Sequence, residues 1–136
     1  MEATGTPVVF SDIVRAWQKI SPFVHQTPVL TSSQADEKTG RKLFSFKCEK
    51  ISKRLDLFKA RGALNAVLQA QERSDNVVGF ATHSSGNHGQ ALSWASKVAG
   101  FPCYVVVPET APEVKKRAIK AYGGQLVECG PNLQDR

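Results

Sequence analysis

Residues 77–89 read VVGFATHSSGNHG, and this stretch decides the fold. The apolar run from Val77 to Ala81 predicts a short buried strand, and the polar turn from Thr82 to Gly86 predicts its end. An amphipathic helix is predicted to open directly after the turn and to stop at Gly100, because glycine is the usual residue just past a helix C-terminus. A strand, a polar turn and a helix in this order begin a βαβ unit, which predicts an α/β fold.

The pattern repeats towards the C-terminus. A second strand is predicted from Cys103 to Val107, and a third from Gln125 to Cys129. Between them, Thr110-Ala111-Pro112-Glu113 predicts a capping box that opens a helix. The apolar stripe of that helix is predicted at Val114, Ala118, Ala121 and Tyr122. Short, almost wholly apolar strands that alternate with helices predict a parallel sheet covered on both faces, with right-handed crossovers.

The N-terminal part predicts further helices and one strand. Ser11 is a plausible cap for a helix with Ile13, Trp17 and Ile20 on one face. Ser33-Gln34-Ala35-Asp36 resembles a capping box, and Gly40 closes the short helix that it opens. Residues 43–48 predict a strand and residues 49–57 a loop. A clear helical stripe begins just after Lys59 and comprises Ala60, Ala63, Leu64, Val67 and Leu68.

Composition restricts the class of protein. The chain has 136 residues, 41% hydrophobic and 22% charged, which fits a folded globular protein. No apolar run approaches the roughly 18–20 residues that span a bilayer, and no signal peptide is visible. The cysteines Cys48, Cys103 and Cys129 form no CxxC motif, so we interpret them as reduced, mostly buried thiols. We therefore expect a cytoplasmic protein without a membrane span.

The net charge of +6 leaves two interpretations open. Eight of the 18 basic residues fall between Arg41 and Arg61, and Lys115, Lys116, Arg117 and Lys120 form a second cluster. With Phe44 and Phe46 interleaved, a basic stripe can bind nucleic acid. The alternative is a solvated face, or a loop that meets a small anion. The chain contains no recognised nucleic-acid motif, so we expect no nucleic-acid partner.

The turn at residues 82–89 is a candidate anion site. Parallel sheets bind ligands at the carboxyl ends of their strands, and helix N-termini offer unpaired N–H groups to anions. Two hydroxyls, Ser84 and Ser85, and two glycines, Gly86 and Gly89, suit a nest for a carboxylate or a phosphate. The alternative is a turn in which the serines only cap a helix. The sequence is neither a Walker loop nor a GxGxxG fingerprint.

Lys59 is a second candidate. It follows Phe58 where a helix is predicted to begin. A lysine in a partly apolar pocket can lose its proton and form a Schiff base with an aldehyde. The alternative is an ordinary solvated lysine.

Both segments resemble one enzyme family. FKARGA at 58–63, followed by SSGNHG at 84–89, resembles the fold-type-II pyridoxal-phosphate enzymes, which share the tryptophan-synthase-β-like fold. The nearest branch is that of serine racemases and serine/threonine ammonia-lyases (dehydratases). HQTPVLTSS at 25–33, FKCE at 46–49, GALNAV at 62–67, VVVP at 105–108 and AYGG at 121–124 are similar to that branch in the same order.

The resemblance implies a role for individual residues. Lys59 would form the Schiff base with pyridoxal phosphate and act as the base on one face of the substrate Cα. Phe58 would lie near the cofactor ring, and Asn87 would bond the ring hydroxyl. Ser85 would be the acid or base on the opposite face. The substrate carboxylate would be held by Ser84, Ser85, Asn87, His88 and Arg136, and activating ATP by Ser32, Ser33, Lys53 and Gln90.

The chain departs from the family in two ways. A Thr-Gly-Ser run usually precedes the lysine, whereas residues 54–57 read RLDL here, and Ser45 is an extra residue in the preceding strand. The family is also considerably longer, and it places its glycine-rich phosphate loop and its activating magnesium site beyond the stretch that this chain resembles. We therefore expect an N-terminal fragment, with residues 1–70 from the large cofactor domain and 71–136 a nearly complete small α/β domain.

The implied activity is racemisation, or β-elimination with deamination, of serine or threonine. The resemblance does not separate these two reactions. It also implies that longer members of the family are homodimers. We expect the fragment itself to be inactive, with apolar side chains such as Phe44, Phe46, Leu64 and Val67 left partly exposed. An alternative is a non-catalytic fragment that acts through protein interaction.

Overall fold

The fold comes from a computed structural model that describes residues 7–42, 45–47, 58–73, 76–84 and 86–135. For residues 45–47 and 133 it describes the backbone alone. The predictions that concern Cys48, Lys53, Ser85, Arg136, the loop 49–57 and the side chains of Phe44 and Phe46 fall outside this described part.

The described residues form five α-helices and five β-strands. The helices are α1 (Phe10–Ile20), α2 (Ser33–Thr39), α3 (Ala60–Glu72), α4 (Asn87–Ala99) and α5 (Glu113–Ala121), and a 3-10 helix covers Leu133–Asp135. The strands are β1 (Val29–Thr31), β2 (Ser45–Lys47), β3 (Phe80–Thr82), β4 (Cys103–Pro108) and β5 (Gln125–Cys129). In the part of the chain that the structure describes, no helix is long and apolar enough to cross a membrane.

The predicted parallel sheet is confirmed. Strands β3, β4 and β5 lie side by side in that order, and both pairs are parallel. The α/β class follows, because each pair of neighbouring strands is joined through a helix. Strands β1 and β2 form a separate antiparallel pair.

One hydrophobic core joins α3 to the sheet. Leu64 and Val67 of α3 are completely buried with Ala91 of α4, Val105 of β4 and Ile119 of α5. The expectation that Leu64 and Val67 stay partly exposed is therefore wrong. Helix α3 packs on α4, which itself packs on β3 and β4. Leu64 and Val67 are therefore covered by other elements of the same chain.

The expected cover on both faces of the sheet is also wrong for the described residues. Ala81, Tyr104 and Gln125 are in register on one face, and all three are exposed, as is Val127 of β5. Right-handed crossovers explain this arrangement. The strand order runs in one direction, so each crossover places its helix on the same face. Helices α4 and α5 accordingly contact each other.

Strand β3 begins later than the predicted Val77. Its first pair joins Phe80 to Cys103, because β4 begins only after Pro102. The Phe80 N–H bonds the carbonyl of Pro102 at 3.0 Å. Val78, predicted inside the strand, lies before it and is exposed.

Three predicted helix starts are shifted. Helix α1 is capped at Val9 rather than Ser11, because the Asp12 carboxylate accepts the Val9 N–H at 2.9 Å. Ser32 rather than Ser33 caps α2, with its hydroxyl accepting the Ala35 N–H at 3.3 Å. Pro112 rather than Thr110 precedes α5.

The stripe predicted for α5 was wrong in part, since Tyr122 packs against the core and Ala118 is half-buried, but two other members are exposed. Lys116 and Ile119 are its buried residues, whereas Val114 is 65% exposed and Ala121 is exposed. Burial of Lys116 could not be foreseen from periodicity, because its ammonium reaches two oxygens outside the helix. Nζ donates to the Glu109 carbonyl at 2.9 Å and to Glu128 Oε1 at 2.7 Å.

Candidate functional site

The candidate site lies where β3 ends and α4 begins. Strand β3 ends at Thr82, and the backbone turns through His83, Ser84 and Gly86 into α4 at Asn87. The carboxyl edge of a parallel sheet is the usual ligand position in this class of fold. The sequence-predicted position of the turn is thus confirmed, although Ser85 lies outside the described residues.

Gly89 fixes the shape of this turn. A Cβ built on Gly89 would lie 2.0 Å from the Ser84 carbonyl oxygen and 3.0 Å from a methyl of Val105. Only glycine allows the turn to approach the first turn of α4 so closely. A hydrogen bond also fixes Gly89, because the buried Ser93 hydroxyl donates to the Gly89 carbonyl at 2.7 Å. The Ser84 carbonyl and the first turn of α4 therefore lie in close contact.

The N-terminus of α4 has the donors that an anion requires. The first N–H groups of a helix have no acceptor inside the helix, and the N-cap residue of α4 is Gly86, which has no side chain that could cap them. Asn87 and His88 are exposed beside these groups, and Ser84 Oγ accepts the Gly86 N–H at 3.4 Å. Together with the positive end of the helix dipole, this arrangement can hold a carboxylate. We call Ser84, Gly86, Asn87, His88 and Gly89 the anion nest.

Lys59 lies at the N-terminus of α3, as predicted. It is the N-cap residue of α3, is exposed, and has its ammonium 5.1 Å from the centre of the Phe58 ring. Within the described part of the chain, Lys59 forms no hydrogen bond or ion pair with the anion nest. The structure thus pairs Phe58 with Lys59, while the link from Lys59 to the nest stays a prediction.

Arg61 makes a long-range contact that the sequence reasoning did not predict. Its Nη2 donates to the His25 carbonyl at 3.0 Å and to the Thr27 hydroxyl at 3.1 Å. Thr27 is only 6% exposed. His25 and Thr27 both belong to HQTP, a motif that resembles the family. That resemblance was the one sequence signal that could have pointed to this contact.

Among the described residues, those predicted to bind ATP form no hydrogen bond or ion pair with one another. Ser32 uses its hydroxyl to cap α2, Ser33 is exposed beside it, and Gln90 lies in the first turn of α4. The assignment of these residues to ATP stays a prediction. Among the described residues, no group of histidine, cysteine, aspartate or glutamate side chains is placed to hold a metal.

The basic cluster near α5 is partly neutralised. Lys116 is buried and bonds Glu128, and that bond raises the pKa of Lys116 above its ordinary range. The same hydrogen bond lowers the pKa of the Glu128 carboxyl. One charge of the cluster is therefore not available to a phosphate backbone.

Comparison with known proteins places the chain in a family. The profile described as "Pyridoxal-phosphate dependent enzyme" matches residues 20–136. Serine racemase of Homo sapiens is 51% identical over 95% of this chain. Beta-hydroxyaspartate dehydratase of Paracoccus denitrificans is 43% identical over 93% of it. The crystal structure of serine racemase from Dictyostelium discoideum matches 95% of the chain with a TM-score of 0.80 and 49% identity.

The match covers only part of each relative. The chain spans 38% of the human serine racemase, 39% of the dehydratase and 41% of the Dictyostelium structure. Its sheet and helices thus correspond to one part of a fold-type-II architecture. On the family profile and on these relatives, the chain belongs to the pyridoxal-phosphate dependent enzymes.

Proposed function

We propose that this chain provides the cofactor lysine and the substrate-carboxylate nest of an enzyme that racemises or β-eliminates serine or threonine. The close approach at Gly89 is the observation that carries the proposal. It holds the turn that carries the Ser84 hydroxyl against the N-terminus of α4, whose first N–H groups can donate to a carboxylate. Family membership and the names of the relatives supply the reaction class.

The described residues fit pyridoxal phosphate in part. Lys59 offers an exposed primary amine for the cofactor aldehyde, and the Phe58 ring beside it offers an apolar surface for the pyridine. Asn87 supplies an amide next to the nest for the ring hydroxyl. A site for the cofactor phosphate would belong to the portion of the relatives that this chain does not span.

The bound cofactor supplies an electron sink that makes the Cα–H bond of an amino acid acidic. The Lys59 amine then removes the Cα proton on its own face, acting as a general base. The nest holds the substrate carboxylate and thereby fixes which face of Cα the lysine meets. Preorganised N–H donors do this without a reorganisation cost.

The second face of Cα decides between the two reactions. Racemisation needs a proton donor opposite Lys59, and we assign that role to the Ser85 hydroxyl. β-Elimination needs only the proton removal by Lys59 and the departure of the β-hydroxyl. His88 and Arg136 would complete the hold on the substrate carboxylate.

Reductive trapping tests the assignment of Lys59. The 136-residue chain is incubated with pyridoxal phosphate and borohydride, and the modified lysines are located by peptide mapping. We expect the pyridoxyl group to concentrate on Lys59 over Lys97, an exposed lysine in the last turn of α4. Even labelling of the two lysines would contradict the proposal.

The Ser85 assignment is tested in a chain completed with the missing part of a relative. Ser85→Ala should abolish racemisation of L-serine far more strongly than elimination. Ser11→Ala, which removes an exposed hydroxyl on α1, serves as the control. Equal loss of both activities in Ser85→Ala would remove Ser85 from the second-face role.

Turnover by the 136-residue chain alone is expected to be absent. The chain spans 38% of the human relative, so we expect the cofactor phosphate to lack its binding loop. The purified chain is assayed with pyridoxal phosphate and L-serine for pyruvate and for D-serine. Turnover at the level of a complete relative would require another phosphate site within this chain.

A second candidate is a non-catalytic role through protein interaction. The open face of the sheet favours it, since Tyr104 and Val127 are 44% and 45% exposed on neighbouring strands. Co-expression with a complete serine racemase, followed by size-exclusion chromatography, tests it. Separate elution of the two chains would exclude this role for that partner.

A further inference from the structure

Arg61 ties the first turn of α3 to a distant segment of the chain. One guanidinium nitrogen, Nη2, donates to the His25 carbonyl at 3.0 Å and to the Thr27 hydroxyl at 3.1 Å. These partners lie 36 and 34 residues away in sequence. Hydrogen bonds from a charged donor are stronger than neutral ones, so the pair is a substantial anchor.

The first turn of α3 needs such an anchor. Its N-cap residue is Lys59, whose ammonium has no acceptor atom and makes no capping hydrogen bond. An uncapped first turn frays more readily than the rest of a helix. The turn is closed on itself by the Ala63 N–H, which donates to the Lys59 carbonyl at 3.0 Å.

The segment at the other end of the tie is itself fixed. Thr27 is 6% exposed, and it lies two residues before β1, which pairs with β2. The buried Ala60, next to Lys59, holds the helix from its inner side. Arg61, the next residue of the same turn, bonds His25 and Thr27.

We propose that Arg61 is a positioning residue for Lys59: by bonding His25 and Thr27 it holds the turn from which the lysine amine projects. This inference rests on the proposed role of Lys59. An arginine suits the task better than a lysine, because its planar guanidinium presents its donors in a fixed geometry, whereas an ammonium is a compact charge on a flexible stem.

The test compares four variants of the 136-residue chain. Arg61→Met removes the tie, and Arg61→Lys keeps the charge. Thr27→Val removes one acceptor at constant volume, and Thr27→Ser keeps it. Arg15→Met is the control, since Arg15 on α1 pairs with its helical neighbour Asp12.

Two local readouts separate positioning from general stability. Hydrogen exchange at the Ala63 amide reports the first turn of α3, and reductive trapping reports the share of pyridoxyl on Lys59 relative to Lys97. For Arg61→Met we expect exchange at Ala63 to accelerate about tenfold, as loss of a charge-assisted bond implies. The Lys59 share should fall about fivefold, with partial recovery in Arg61→Lys.

Thr27→Val should give smaller changes in the same direction, while Thr27→Ser and Arg15→Met should match the wild type. Thr27→Val also keeps the test decisive if Arg61→Met does not fold. The inference would be overturned if the wild type labels Lys59 selectively and both Thr27→Val and folded Arg61→Met label it to the same extent. Unselective labelling in the wild type would instead contradict the proposed role of Lys59. In that case, slower hydrogen exchange at Ala63 in the wild type than in Arg61→Met would still show that the Arg61 hydrogen bonds hold the first turn of α3.

Discussion

Gly89 shows how one residue shapes the site. Its missing Cβ leaves room for the Ser84 carbonyl, which a Cβ would meet at 2.0 Å. A contact of backbone with Cβ cannot be relieved by rotating a side chain, so the turn itself would have to move. The shape of the anion nest therefore depends on glycine at position 89, where a hydrogen atom takes the place of a Cβ.

Gly89→Ala is expected to destabilise the chain by about 1–3 kcal/mol, the usual cost of overpacking. Gly62 on α3 is the matched control, since a Cβ there meets no atom of the described residues within 4 Å. Gly62→Ala should stabilise by roughly 0.5–1 kcal/mol through helix propensity. Urea unfolding measures both changes, and equal effects of the two substitutions would contradict the role given to Gly89.

The Lys116–Glu128 pair makes stability depend on pH. The hydrogen bond lowers the pKa of Glu128 below its ordinary 4.5 and raises that of Lys116 above its ordinary 10.5. A lowered carboxyl pKa stabilises the fold above pH 4.5, and this contribution is lost as the pH falls through the folded pKa. A raised lysine pKa stabilises below pH 10.5 and is lost as the pH rises through the folded pKa.

Glu128→Gln should therefore lower the melting temperature between these limits and converge with the wild type in acid. Thermal melts from pH 3 to 9 measure the difference. Glu37→Gln on α2, where no ion pair is found among the described residues, is the control and should track the wild type. A constant offset for Glu128→Gln at all pH values would assign its effect to something other than the ion pair.

Helix α3 begins directly after Lys59, for which we propose the cofactor role, and the helix also fills the core. Its stripe was readable from the sequence, because Ala60, Ala63, Leu64 and Val67 recur at helical spacing. What the stripe packs against was not readable, since spacing defines a face and not its partner. The same limit explains α5, whose buried Lys116 depends on Glu109 and Glu128 from other elements.

Leu64→Ala is expected to cost about 2–5 kcal/mol, the range for a large side chain removed from a packed core. Leu64 is 0% exposed between α3 and its neighbours, so the cavity has few ways to collapse. Val114→Ala on the exposed face of α5 is the control and should change the free energy of unfolding by less than about 0.5 kcal/mol. A cost for Leu64→Ala as small as the control's would mean that α3 is not docked in solution.

At the scale of the whole molecule, the order of elements was predictable and their mutual contacts were less so. The parallel pairing of β3, β4 and β5 follows from alternating strands and helices, whereas their side-by-side order was not predicted. The nest at Ser84 and Gly89 follows from the residues of one turn. The Arg61–Thr27 bond does not, because 34 residues separate the partners and neither has a local reason to meet the other.

The one-sided sheet predicts how the chain behaves at high concentration. Both crossovers place their helices on the same face, which leaves Tyr104 and Val127 exposed at 44% and 45% on the other. Neighbouring apolar side chains on an open sheet face favour association. Val127→Lys should therefore shift the chain towards monomer in sedimentation velocity over a concentration series. Val114→Lys adds the same charge on α5, where Val114 is 65% exposed. If both lysines weaken association equally, net charge and not the sheet face is responsible; if only Val127→Lys does so, the open face is the contact surface.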